Sequence, residues 1–146
     1  MSELCVFCGI VRGSQAASIV WEDDLVLAVV DLRQFHAGHT LVMPRAHLRD
    51  VRELDFKTGA ALMSLASRVT RAVASAFPNQ GMSLWHSIGE AADQEVPHLH
   101  LHVHPRRIGD NMLRIYPSPA ALPERQALDD HAALLRAHLD TTGIGI

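Results

Sequence analysis

The stretch Val96–Arg107, VPHLHLHVHPRR, sets His98, His100, His102 and His104 on every second residue, with Leu99, Leu101 and Val103 between them. Alternation with period two is the mark of a strand, whose successive side chains point to opposite faces. Same-face neighbours then lie roughly 6.5–7 Å apart, twice the rise per residue. The sequence therefore predicts a strand with its leucines and valine in a core and a row of imidazoles on the other face. Pro105, which has no N–H for a ladder, is expected to end it. Imidazole titrates near neutrality and is the commonest metal ligand. Three chemistries are open to such a row: metal binding, acid–base work and nucleophilic attack.

Around this strand the chain has 146 residues, 48% of them hydrophobic, with a formal net charge of −3. That is the size of one domain with a sizeable core. It is not the basic balance of a nucleic-acid binder. No run approaches the roughly 18 apolar residues of a membrane span. The start, MSELCVFCGI, lacks the long apolar core of a signal peptide. The expectation is a cytoplasmic protein with neither a membrane nor a nucleic acid as partner. Cys5 and Cys8 form a Cys-x-x-Cys pair, which reads as half a zinc site or as a redox motif. No strand precedes it, as the redox motif would have, and histidines elsewhere can complete four ligands.

SIVWE and DLVLAVVD read as two strands joined at EDD, GHTLVMPR as a third, MSLWHS as a fourth and the histidine segment as the fifth. AHLRDVREL suits a short helix. Asp55 can cap a long one in which Leu62, Leu65, Ala66, Val69, Val73 and Ala76 recur at helical spacing until FPNQG breaks it. YPSPAALP is a linker, and ERQALDDHAALLRAHL is a C-terminal helix. The fold class is α+β, with a five-stranded antiparallel sheet. Residues 1–110 form the main domain and 111–146 an extension.

QEVPHLHLHVHPR, with AGHTLVMPRAH upstream of it and CVFCGI at the start, resembles the histidine triad family, whose signature is His-φ-His-φ-His-φ-φ with φ hydrophobic. The resemblance covers the chain from about Cys5 to Arg106. It implies a sheet with a long helix, usually paired into a homodimer. It also implies hydrolysis or transfer of a nucleoside 5′-monophosphate from a phosphoramidate or dinucleoside polyphosphate. The middle histidine, His100, would be the nucleophile and carry a covalent nucleotidyl group. His102 would donate to a phosphate oxygen, and His39 matches a fourth histidine near the family's active site. Asp31 falls where the family binds ribose hydroxyls, and Phe7, Ile10 and Leu32 where it sandwiches the base. Ser87 and Gln94 fall in its nucleotide-binding loop. Cys5, Cys8, His47 and His98 match the ligands of a structural zinc in bacterial members.

The chain departs from that pattern at four places. Ser87 replaces an asparagine, Asp93 a glycine, and His104 a hydrophobic residue, while Glu95 stands where relatives use serine or threonine. His104 reads as an exposed histidine at a strand end, Trp85 as core or dimer interface, and Arg106 and Arg107 as solvated charges. The acids near a phosphate site leave a second reading open: a non-catalytic or weakly active, zinc-stabilised nucleotide-binding protein. A third, a catalytic metal held by the histidine row, conflicts with His98 serving the cysteines.

Overall fold

The computed structural model describes residues 5–139. The chain divides into two compact units, Met1–Asp110 and Asn111–Ile146. The first holds an antiparallel sheet of β1 (Ile19–Glu22), β2 (Val26–Val30), β3 (Thr40–Pro44), β4 (Gly81–Trp85) and β5 (Leu101–Arg106), in the order β1-β2-β3-β5-β4. It also holds α1 (Val6–Val11) and α2 (Phe56–Ala76). The second unit holds α3 (Arg125–His138). Among the described residues no helix is long and apolar enough to cross a membrane.

The central strands are apolar on both faces because both faces are covered. Val26 and Ala28 of β2 and Val42 of β3 join Leu99 and Val103 against Leu62, Leu65, Ala66, Val69 and Val73 of α2. Leu27 and Val29 of β2, with Leu41 and Met43 of β3, turn the other way and meet Cys5, Phe7 and Cys8. Burying a Leu or Val side chain contributes about 1.5–3 kcal/mol. These two layers therefore dominate the stability of the unit. The β1–β2 turn is closed by Asp23, whose Oδ1 accepts the N–H groups of Leu25 and Val26 at 2.9 Å each. Helix α2 starts where the spacing predicted. The Asp55 carboxylate accepts the N–H of Thr58 at 2.9 Å and its hydroxyl at 2.6 Å, satisfying a donor that a helix start leaves open.

The histidine segment differs from expectation at both ends. The ladder begins at Leu101, so His98 and His100 precede the strand. Val42 pairs with Leu101, and two positions further along, Leu99 would face Pro44, which has no N–H to offer. The Leu99 N–H bonds instead to the Leu48 carbonyl at 2.6 Å. Pro105 does not end the strand, which runs on to Arg106. It pairs with Met82 of β4 and lies beyond the β3 pairing, which stops at Val103. Its missing donor is thus harmless at that edge. Helix α1 was not expected at all from CVFCGI.

Candidate active site

One strip of backbone, 98–104, feeds two clusters on the face opposite α2. The first contains Cys5 and Cys8 from α1 and its cap, His47 after β3, and His98, their ligand atoms all within 4.8 Å of one another. The Cys8 Sγ lies 3.2 Å from His47 Nδ1 and 3.6 Å from His98 Nδ1, and the Cys5 Sγ lies 3.6 Å from His98 Nδ1. A tetrahedral metal bound at about 2.3 Å to sulfur and about 2.0–2.1 Å to nitrogen has ligand–ligand edges of about 3.3–3.8 Å. The three distances of 3.2–3.6 Å lie close to that frame, and all four donors stay within 4.8 Å of one another. His98 Nε2 donates to the Pro44 carbonyl at 2.9 Å, so Nδ1 carries the lone pair and faces the thiols. This is the outer-shell hydrogen bond that orients a metal-binding histidine. These four residues can therefore hold a metal ion.

The second cluster starts two residues on. His100 Nδ1 lies 2.6 Å from the His98 carbonyl. A carbonyl only accepts, so Nδ1 carries the proton and Nε2 the lone pair. Among the described residues nothing hydrogen-bonds that Nε2. Phe7 packs against the His100 ring edge-on, 5.0 Å between centroids. His86, after β4, reaches behind the ring, its Nδ1 donating to the His100 carbonyl at 3.1 Å. Burial holds His100 below the usual histidine range, although the bond to His98 opposes the shift.

His102 is held by a relay. His39 Nδ1 donates to the Arg33 carbonyl at 2.9 Å and lies 3.5 Å from an Asp31 carboxylate oxygen. Its Nε2 is then an acceptor, and the His102 Nδ1 donates to it at 2.9 Å. Asp31 is fixed in turn by the Arg33 N–H, 2.8 Å from Oδ1. His39 owes its place to Gly38. With φ +104, a Cβ at that position would stand 2.6 Å from the Phe77 ring, so only glycine fits. Trp85 stacks on His102, centroids 4.3 Å apart and planes 2° from parallel. The tryptophan is neither plain core nor a spare surface but the floor under a catalytic candidate. Burial and the neighbouring His100, His39, Arg33 and His104 hold His102 down to about 3, so at neutral pH it is uncharged.

His104 corrects the expectation of an exposed strand end. It is 1% exposed, with its ring 4.6 Å from His39 and 5.7 Å from His36. Arg106 is not merely solvated either. It grips Asp110 with two bonds of 2.8 and 2.6 Å and reaches Ser83 at 3.0 Å, while His36 Nε2 meets Asp110 at 3.1 Å.

Of the base-contacting candidates, Phe7 is buried beside His100, Ile10 is half-buried on α1, and Leu32 is 97% exposed. Ser87 follows β4 and is half-buried. Gln94 clamps its loop: its side-chain oxygen takes the Gly89 N–H at 2.9 Å and its amide donates to the Arg49 carbonyl at 2.8 Å. Asp93 adopts φ +60, the left-handed backbone that suits a glycine and that Asp tolerates better than most residues. Sequence reasoning missed Arg33, whose guanidinium makes two 2.8 Å bonds to the Glu95 carboxylate. No periodicity links residues 62 apart in the chain.

Comparison with known proteins gives a consistent result. The HIT domain family model matches residues 12–109. The protein called Protein hit of Bacillus subtilis is 35% identical over 105 residues, 72% of this chain and 72% of its own length. An adenylylsulfatase of Arabidopsis thaliana is 32% identical over 106 residues, covering 73% of this chain and 54% of the relative. A crystal structure of a HIT family member from Bacillus subtilis superposes with a TM-score of 0.88 at 28% identity, covering 96% of this chain and all of that one.

Proposed function

The chain belongs to the HIT domain family, and from that premise we propose that it is a nucleotidyl hydrolase or transferase. It cleaves a nucleoside 5′-monophosphate from its leaving group through a covalent nucleotidyl group on His100. The observation that carries this reading is the His100 ring. Its Nδ1 is committed to the His98 carbonyl, and its neutral Nε2 has no partner among the described residues. A nucleophilic nitrogen needs both properties.

In the first step the Nε2 lone pair attacks the α-phosphorus. A nitrogen–phosphorus bond forms and the bond to the leaving atom breaks, its electron pair leaving with that atom. A phosphate set against His102 favours the protonated imidazole, and the leaving atom takes that proton. His39 and Asp31 steady the charge through the relay described above. In the second step water attacks phosphorus, returns a proton to His102 and releases the nucleoside monophosphate, the electron pair going back to Nε2. Positioning and charge stabilisation carry most of such a transfer. Asp31 holds the ribose; Phe7, Ile10 and Leu32 hold the base; Ser87 and Gln94 line the phosphate loop. The relative named an adenylylsulfatase supports an adenylyl-bearing substrate.

The metal of the cysteine–histidine cluster we read as zinc. Four protein ligands leave no open position, so its role is structural. The reading extends to a cytoplasmic homodimer with residues 1–110 as the catalytic domain. The test is hydrolysis of adenosine 5′-phosphoramidate by the purified chain beside His100→Ala, with intact-mass detection of a nucleotidyl adduct. Turnover and adduct that vanish together in the variant support the reading. Turnover that survives places the nucleophile elsewhere, and none in either protein favours a binding module.

A further inference from the structure

Arg33 and Glu95 lie on the two segments that feed the site. Arg33 sits inside the relay: its N–H holds Asp31 and its carbonyl holds His39. Glu95 lies between Gln94, which is clamped at both ends of its side chain, and the histidine strip. Both backbones are therefore fixed. The side chains are not, because they are 71% and 63% exposed. Their paired bonds of 2.8 Å bridge the segments with a contact that water screens and that opens readily. Before a substrate enters, burial biases His102 and His104 toward the neutral form, so these two imidazoles offer an arriving anion no charge. Arg33, whose carbonyl anchors the His39 that His102 bonds, carries a cation on this side of the site, and its fork is already filled by Glu95.

We propose that the Arg33–Glu95 pair is a charge-selective clasp across the two segments that carry the histidine site. Closed, it passes a neutral or cationic leaving group such as an amine; an anionic one, such as an oligophosphate, must first displace Glu95 from Arg33. Repulsion is as effective a source of specificity as attraction, and here Glu95 supplies it. The preferred substrate class is accordingly the nucleoside phosphoramidate rather than the dinucleoside polyphosphate. This selectivity rests on the nucleotidyl-transfer reading, but the clasp itself can be tested without turnover.

The experiment uses the full chain as native protein, Glu95→Gln, Arg33→Gln/Glu95→Gln, and Glu22→Gln. The last removes the same charge from an exposed pair with Arg45, 3.1 Å apart, on the β1 edge. Calorimetric titration with inorganic pyrophosphate should show about fivefold tighter binding to Glu95→Gln, a size set by a screened surface charge pair. The gain should disappear in the double variant and be absent in Glu22→Gln. In parallel, the ratio of kcat/KM for diadenosine tetraphosphate to that for adenosine phosphoramidate should rise about fivefold in Glu95→Gln. Pyrophosphate affinity within twofold of native in Glu95→Gln overturns the clasp. So does a gain that survives loss of Arg33 or that Glu22→Gln reproduces. If the titrations follow the expected pattern while no variant turns over any adenylyl substrate, the clasp stands and the nucleotidyl-transfer reading falls.

Discussion

His98 and His100 are two residues apart, both buried, and both hydrogen-bonded to backbone carbonyls, yet they present opposite ring nitrogens. His98 gives Nε2 to Pro44 and turns Nδ1 to the two thiols. His100 gives Nδ1 to His98 and leaves Nε2 without a partner among the described residues. The first ring is closed on every side and the second is open on one. The difference comes from which carbonyl lies within reach, not from the residue type or its burial. One strip of backbone can therefore build a cluster able to hold a metal ion and, beside it, one that leaves a ring nitrogen open.

The largest effect should come from the open ring. His100→Ala is expected to lower turnover of adenosine phosphoramidate by about 10⁴-fold or more, as loss of a nucleophile does, while near-ultraviolet circular dichroism stays native. A variant as active as the parent would erase the distinction between the two rings. Next comes the relay. His102→Gln should reduce kcat by about 10²–10⁴-fold, the range of a lost general acid. His39→Gln should share that loss rather than add to it, because the two act through one hydrogen bond; fully additive losses would separate them. The closed cluster should behave in the opposite manner. Chelation, or Cys8→Ala, should lower the melting temperature by roughly 10 °C yet leave measurable turnover in the fraction still folded. Complete loss of activity at unchanged melting temperature would make the closed cluster the catalytic one.

The smallest effect concerns pH. Burial holds His102 at about 3 and pushes His104 down as well, whereas an unfolded chain returns each to about 6.5. Below about pH 6.5 the unfolded state binds more protons, so stability is full above that pH and is lost as the pH falls toward 3. A melting temperature lower by about 5 °C at pH 5 than at pH 7 is expected. His102→Gln should flatten the profile. An unchanged slope in that variant would remove His102 from the acid sensitivity.

Much of this was legible in the sequence. The period-two histidines placed Leu99 and Val103 in the α2 core, and Asp55 marked the start of α2 because a cap is a local interaction. What escaped was non-local. Helix α1 is only six residues of VFCGIV, too short to hold itself and poor in helix formers. It persists because Phe7 and Cys8 are buried against β2 and β3. His104 looked exposed because a strand end usually is; its cover comes from His36 and His39, more than 60 positions earlier. The relay rests on the Arg33 carbonyl, and a backbone acceptor leaves no trace in a pattern of side chains.

The stacking of Trp85 on His102 has an optical consequence. An imidazolium lying flat on an indole quenches its emission more strongly than a neutral imidazole does. Trp85, in plane-to-plane contact with the ring to which the proposed reaction assigns the proton transfer, is thus a built-in indicator of that ring's charge. The other tryptophan, Trp21, lies under Arg68 instead, so replacing it with phenylalanine would leave one emitter. Its intensity would then follow the occupancy of the site with no label attached.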